Sequence, residues 1–410
     1  MKQKLGIIAL FFSFVFGLAS QGNCQWVQTN GLSHSIVTTL AINGTNTFAV
    51  TLDSGIFLST DNGANWRTVN SGLTKLRITT LTVSDGNVYL GTEADNYINP
   101  PAGIFLSSDN GSNWSRINAQ IKGAVLALAA SGGNVFAAVD NDIFYSSDYG
   151  KTWAVTYFAT FNWTYKIGAT VTTLLTSNNN IFCGTGLAGI FLSTDYGMSW
   201  KSANNDRLWD NTIYSLATDG INIYAGADRG VFLSANNGSR WIAIDSGESY
   251  TNYQALAVKG SYVFVGTAAT GVFLSTNYGN GWIAVNDGLT NNHIQALAIN
   301  PKYIFAATSG SGVWRRPLSD FGISNVKNPT HTNLNFSLSP NPTTGIITVH
   351  IAPANILHVT IMNVLGATVN EFTNLGSTDF TFDLSKLPSG TYFARFSSAG
   401  SVINRKIVKE

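Results

Sequence analysis

One four-residue phrase returns seven times along this 410-residue chain. It reads Ile56-Phe57-Leu58-Ser59, Ile104-Phe105-Leu106-Ser107, Ile143-Phe144-Tyr145-Ser146 and Ile190-Phe191-Leu192-Ser193. It continues as Val231-Phe232-Leu233-Ser234, Val272-Phe273-Leu274-Ser275 and a divergent Val313-Trp314-Arg315-Arg316. The fourth residues lie 48, 39, 47, 41, 41 and 41 positions apart. Each repeat holds short apolar or alternating runs separated by turn residues; in the first they are 36–42, 47–52, 55–60 and 66–70. No stretch carries a helical period. A period of roughly 40 residues made only of such runs is the pattern of one four-stranded blade per repeat. The chain is therefore expected to be all-β, with a seven-bladed β-propeller as its main body.

The seventh repeat supplies three runs (about 294–299, 303–308 and 312–317) and no fourth. Trp26-Val27-Gln28-Thr29-Asn30-Gly31-Leu32 matches fourth runs such as Trp282-Ile283-Ala284-Val285-Asn286-Asp287-Gly288-Leu289. The N-terminal segment is thus expected to complete the last blade and to remove the open strand edges of an unclosed ring.

Composition narrows the function classes. Apolar residues make up 44% and charged residues 11% of the chain, with a net charge of +1. The charged share is roughly half the usual value of about 25%, and without a basic excess no nucleic acid is expected as partner. Intrinsic disorder is excluded by the apolar content, and two cysteines cannot make a disulfide scaffold. Cys183 stands where sister repeats have Ala or Val and reads as a small buried hydrophobe.

The first 24 residues have the grammar of a secretory signal peptide: Lys2 and Lys4, an apolar run over 5–18, then small and polar residues ending at Cys24. No later run approaches 18 apolar residues, so no transmembrane segment is expected.

Six repeats follow the phrase with Ser-x-Asp-x-Gly-x-x-Trp or a near variant, centred on Asp61, Asp109, Asp148, Asp195, Asn236 and Asn277. These turns resemble the Asp-box (BNR-like) repeats of sialidases, sortilin-type receptors, xyloglucan hydrolases and photosystem-assembly propellers. The expected role is structural. The Asp or Asn oxygen holds backbone amides of its own hairpin, Gly takes positive φ, and Trp packs between blades. Asn in two of the six argues against a cation site, so no metal and no cofactor are expected.

The C-terminus carries a second resemblance. After a polar linker (319–334) come Ser339-Pro340-Asn341-Pro342-Thr343, Val364-Leu365-Gly366, Phe382-Asp383-Leu384, Leu387-Pro388-Ser389-Gly390-Thr391-Tyr392 and Lys406-Ile407-Val408-Lys409. This order closely resembles the type IX secretion (Por) C-terminal sorting domain over residues 335–410. The resemblance implies a small Ig-like β-sandwich, read by the type IX machinery of a Gram-negative cell. It further implies a protein secreted or held at the outer surface. The propeller then spans 25–318.

What the propeller does is less legible. Two long repeats owe their length to insertions, 93–101 in blade two and 156–168 between blades three and four. In a four-stranded meander both emerge on one face, opposite the box turns. That face is expected to carry Tyr97, Trp163, Tyr165, Asp206, Arg207, Trp209, Asp210, Tyr253 and His293. Aromatic rings beside Asp, Asn and Arg suit a glycan, stacking sugar faces and orienting hydroxyls; the same rings can also pack the long loops down. His34 and His293 occupy equivalent positions, without nearby carboxylates or Cys at ligand spacing. Arg77, Arg207 and Arg229 stand on that face, but the Phe/Tyr-Arg-Ile-Pro segment of sialidases is absent. Asp95, Asp140, Asp142, Asp206, Asp210 and Asp228 offer carboxylates, and nothing singles out an acid–base pair. The favoured expectation is a non-catalytic exported propeller that binds a glycan or surface protein. A glycoside hydrolase or lyase, or a structural assembly factor, is the alternative.

Overall fold

The computed structural model describes residues 24–73, 77–93, 102–118, 121, 123–140, 142–156, 170–204, 208, 212–228, 230–244, 252–323, 335–352, 356–363, 368–375, 379–398 and 401–410. The expected signal peptide lies outside them except for Cys24, which is exposed. No helix among the described residues is long and apolar enough to cross a membrane.

Seven four-stranded antiparallel sheets follow one another from Val27 to Pro317. Blade one runs Val37–Asn43, Asn46–Thr51, Gly55–Ser59 and Arg67–Thr68. Second strands such as Asn46–Thr51 and Tyr262–Thr267 are buried on both faces, because each lies between two neighbouring blades. They therefore read as continuous apolar runs rather than alternations. The core is distributed along the seams between blades. Phe48, Val50, Val88 and Leu90 fill the seam of blades one and two, and Tyr224, Val231, Val263 and Val265 that of blades five and six. Cys183 is fully buried in the seam of blades three and four, and burial pushes its thiol far up.

Ring closure is as the repeat arithmetic requires. Blade seven takes Ile294–Ile299, Tyr303–Thr308 and Val313–Pro317, and Val27–Gln28 pairs as its outermost strand, Val27 opposite Arg315 and Gln28 opposite Trp314. Trp26 is 1% exposed and donates its indole N–H to the Val285 carbonyl at 2.6 Å. At this closure Gly312 is obligatory, since a Cβ there would stand 1.9 Å from the Leu32 carbonyl oxygen.

One boundary differs from expectation. The linker is expected from 319, yet Leu318–Phe321 forms a turn of 3-10 helix on the propeller. Leu318 and Ile323 are buried in the seam of blades six and seven. Phe321 stands edge-on to Phe264 at 5.2 Å, and Arg316 pairs with Asp320 at 3.3 Å. Leu318, Phe321 and Ile323 do this within six residues, too short a run to register as a pattern.

The tail is a sandwich of two sheets. One holds Asn335–Ser339, Ile346–Ala352 and Asp379–Asp383; the other holds Thr368–Leu375, Ile356–Asn363, Gly390–Ser398 and Ser401–Lys409. Ile347, Val349, Val359, Ile361 and Phe382 fill its core. The Tyr392 hydroxyl donates back to the Pro388 carbonyl at 2.8 Å, the device that pins corners in Ig-like domains. The Asn341–Thr343 segment holds the last strand: Val408 N–H donates to Asn341 Oδ1, and Thr343 N–H to the Val408 carbonyl.

Candidate functional site

The two faces of the ring are built by different turns. On one, the six repeated Ser-x-Asp/Asn turns share one geometry. Ser59 Oγ donates to Asp61 Oδ1 at 2.7 Å and accepts from Gly63 N–H at 2.7 Å; Asp61 Oδ1 also accepts from Asn65 N–H at 2.9 Å. Asp109, Asp148 and Asp195 repeat this with their own serines and glycines. In Asn236 the amide oxygen takes the same place, accepting from Ser234 Oγ and Arg240 N–H, and Asn277 accepts from Ser275 Oγ. The side-chain hydrogen bonds of Asn113 and Thr152 hold the Asp109 and Asp148 carboxyls down at about 2. At Asp61 burial opposes ionisation, but the bonds from Asn65 and Ser59 outweigh it, again giving about 2. The tryptophans that follow tie each blade to the one before. Trp114 Nε1 donates to the Val69 carbonyl and Trp153 Nε1 to that of Ile117.

The opposite face surrounds the mouth of the channel. There the amide after each second strand donates to the carbonyl that precedes the first strand of the same blade. Leu52 to Ile36, Glu93 to Arg77, Asp228 to Thr212 and Ser309 to His293 are four of seven such bonds. Just inside, every first strand slips register by one residue, a β-bulge that re-aims a side chain. The slipped residue is Thr38, Thr79 and Thr172 in blades one, two and four, and Leu126 in blade three. In blades five to seven it is Tyr214, Gln254 and Gln295.

The threonines turn their hydroxyls to backbone. Thr79 Oγ1 donates to the Val125 carbonyl, Thr172 Oγ1 to that of Ile213, and Thr38 Oγ1 to that of Val50. Between blades one and two lies a cavity of about 580 Å³, within the usual range for ligand pockets. Leu52, Leu73 and Ile78 give it an apolar wall, Asp53 and Arg77 a polar one. Arg77 pairs with Glu93 at 3.0 Å, an exposed bridge worth about 0–1 kcal/mol.

Of the residues expected on this face, Tyr97, Trp163, Tyr165, Asp206, Arg207, Trp209 and Asp210 lie outside the described residues. Leu208, which stands among them in sequence, is fully buried against the seam of blades four and five. His293 is half-buried, its Nε2 3.3 Å from Gln295 Nε2. Tyr253 is corrected: it is 1% exposed in the seam of blades five and six and has no ring face to offer a ligand. The register is the reason: Tyr253 pairs with Thr267 and takes the buried place that Val37 and Ile213 hold in their blades, while Gln254, the residue skipped by the bulge, is half-buried. Tyr214 and Gln254 were missed by sequence reasoning. The position after the opening Val, Ile or Tyr of each first run (Val37-Thr38, Ile213-Tyr214, Tyr253-Gln254) is the signal that finds them.

Residues 337–410 match the family described as Secretion system C-terminal sorting domain. The tail is a type IX sorting domain. The protein is accordingly exported by type IX secretion and is either released or attached to the cell surface. A curated relative, the uncharacterized protein YkuO of Bacillus subtilis, is 35% identical over 83 residues, 20% of this chain and 26% of that protein. The match thus spans about a quarter of that relative's length. Among solved structures, YCF48 from Cyanidioschyzon merolae is similar with a TM-score of 0.56 at 14% identity, over 72% of this chain and 99% of that one. The GH74 enzyme of Niastella koreensis is similar with a TM-score of 0.59 at 14% identity, over 94% and 74%. At such identities the likeness is one of fold.

Proposed function

We propose that the exported propeller is a non-catalytic binding module that takes a glycan or a surface protein on its insertion-bearing face. The observation that carries this is the division of labour between the faces. The box-turn face uses its carboxylates on its own amides, whereas the opposite face offers a cavity, a channel mouth and half-buried polar side chains. The carboxylates the fold perturbs, Asp61, Asp109, Asp148, Asp195 and Asp383, are all pushed downward, the wrong direction for a general acid.

The test is retention of the mature protein on arrays of polysaccharides and of cell-surface proteins. Trp163→Ala and Trp209→Ala should each weaken retention several-fold. Absence of any ligand across both panels would remove the proposal. Release of reducing sugar that Asp206→Asn or Asp210→Asn abolishes would replace it with a hydrolase.

A further inference from the structure

The channel mouth is not equivalent around its ring. We propose that its sector in blades five to seven, formed by Tyr214, Gln254, Gln295, Asp228 and His293, is a seat for a neutral, hydroxyl-rich carbohydrate. This deepens the ligand-binding reading above and rests on it.

The bulge supplies the first argument. It leaves one residue per blade out of register at the mouth end of the inner strand, and in blades one, two and four that residue is a threonine closed onto a backbone carbonyl. In blades five to seven the same position carries long groups with hydrogen-bonding capacity beyond what the backbone takes.

The second argument is unused capacity. Asp228 Oδ1 and Gln254 Oε1 are shielded from solvent and accept no hydrogen bond among the described residues. An acceptor left so is destabilising, and native folds rarely keep one without a water or a ligand to serve it. Acceptors require a donor, and hydroxyl groups supply donors at close spacing.

The third is the kind of surface. The Tyr214 phenol is pushed up by burial and by the neighbouring Asp228 carboxylate, so it stays neutral and can donate while its ring offers an apolar face. The charged groups described on this face include Asp53, Glu93, Asp140, Asp142 and Asp228 against Arg77 and Arg116; Arg77 is paired with Glu93, and Arg116 donates to the Ala102 and Ile121 carbonyls. Among the described residues that balance disfavours uronic or sialic acids, while Arg207 and Arg229 lie outside them. The glutamine amides, with donors and acceptors side by side, fit vicinal hydroxyls better than a lysine ammonium.

The experiment is titration of the full mature protein with neutral gluco-, xylo- and manno-oligosaccharides, with oligogalacturonate and polylysine as charged comparisons. Tyr214→Ala, the near-isosteric Gln254→Met and the isosteric Asp228→Asn should each lower affinity for the neutral sugar about tenfold or more. Asp85→Asn, on the opposite face, should leave it unchanged. Circular dichroism melts identify any variant that fails to fold, and the two isosteric changes keep the test valid if Tyr214→Ala does. Neutral-sugar binding that all three variants leave intact overturns the seat but not the binding module. Wild-type preference for oligogalacturonate or polylysine also overturns it. If the wild type retains neither sugar nor protein, the binding reading itself falls.

Discussion

Asp109 and Asp228 are both aspartates at a turn between strands, yet the two faces of the ring treat them oppositely. Asp109 holds a position that repeats as Asp or Asn in six blades, whereas the counterparts of Asp228 are Leu52, Glu93, Asp140, Gly186, Ala268 and Ser309. Asp109 accepts from Ser107 Oγ, Asn113 N–H and the Asn113 side chain, all within 2.9 Å. Asp228 gives its backbone N–H to Thr212 and leaves Oδ1 without a donor among the described residues. The difference teaches that a polar residue repeated in register with a fold is spoken for by that fold. The departures from the repeat are where capacity is left for something else.

The comparison breaks first at blade seven, which has the seam tryptophan, Trp26, but no box turn beside it. Trp26→Ala should cost about 3–5 kcal/mol, the range for deleting a large buried ring, read as a drop in urea midpoint. Ser107 is 1% exposed and is the acceptor for the buried Gly111 N–H at 2.8 Å. Ser107→Ala should cost less, about 1–3 kcal/mol, for leaving that donor unserved. A larger loss at Ser107 than at Trp26 would mean that the turns, rather than the tryptophans, hold the ring together.

Acid sharpens the contrast further. Asp61, Asp109 and Asp148 ionise at about 2 in the folded protein, below their ordinary value of 3.8. A depressed folded value means stability that is complete above about pH 4 and lost as pH falls toward about 2. Urea midpoints between pH 5 and pH 2 should fall with acid, and Asp109→Asn should make that fall shallower. An unchanged slope in this variant would show that the turn does not depend on the carboxylate charge.

The architecture was legible because periodic features report on it. Blade count, the closing strand at Val27–Gln28 and the tail sandwich all follow from spacing and motif order. The ligand face was legible only in outline. Tyr253 reads as an exposed ring until the bulge is known, and a one-residue slip in an inner strand leaves no trace in hydrophobic pattern when Tyr, Val and Ile all open such strands. The docking of Leu318 and Ile323 was invisible for a related reason, since two buried residues in a polar stretch carry no period.

The smallest effect is also the one whose sign matters most. Gln254 sits half-buried with Oε1 unserved, so replacing it by a methionine of similar length removes an unmet acceptor and adds apolar contact. Gln254→Met should therefore be neutral or stabilising, by up to about 1 kcal/mol, in the same urea titration that penalises Ser107→Ala. Opposite signs for two polar-to-apolar changes, one on each face, are what distinguish a residue that builds the propeller from one held in reserve against its stability. If Gln254→Met destabilises as much as Ser107→Ala, the oxygen is engaged in the free protein, the two faces are alike, and the mouth has no spare capacity to offer a ligand.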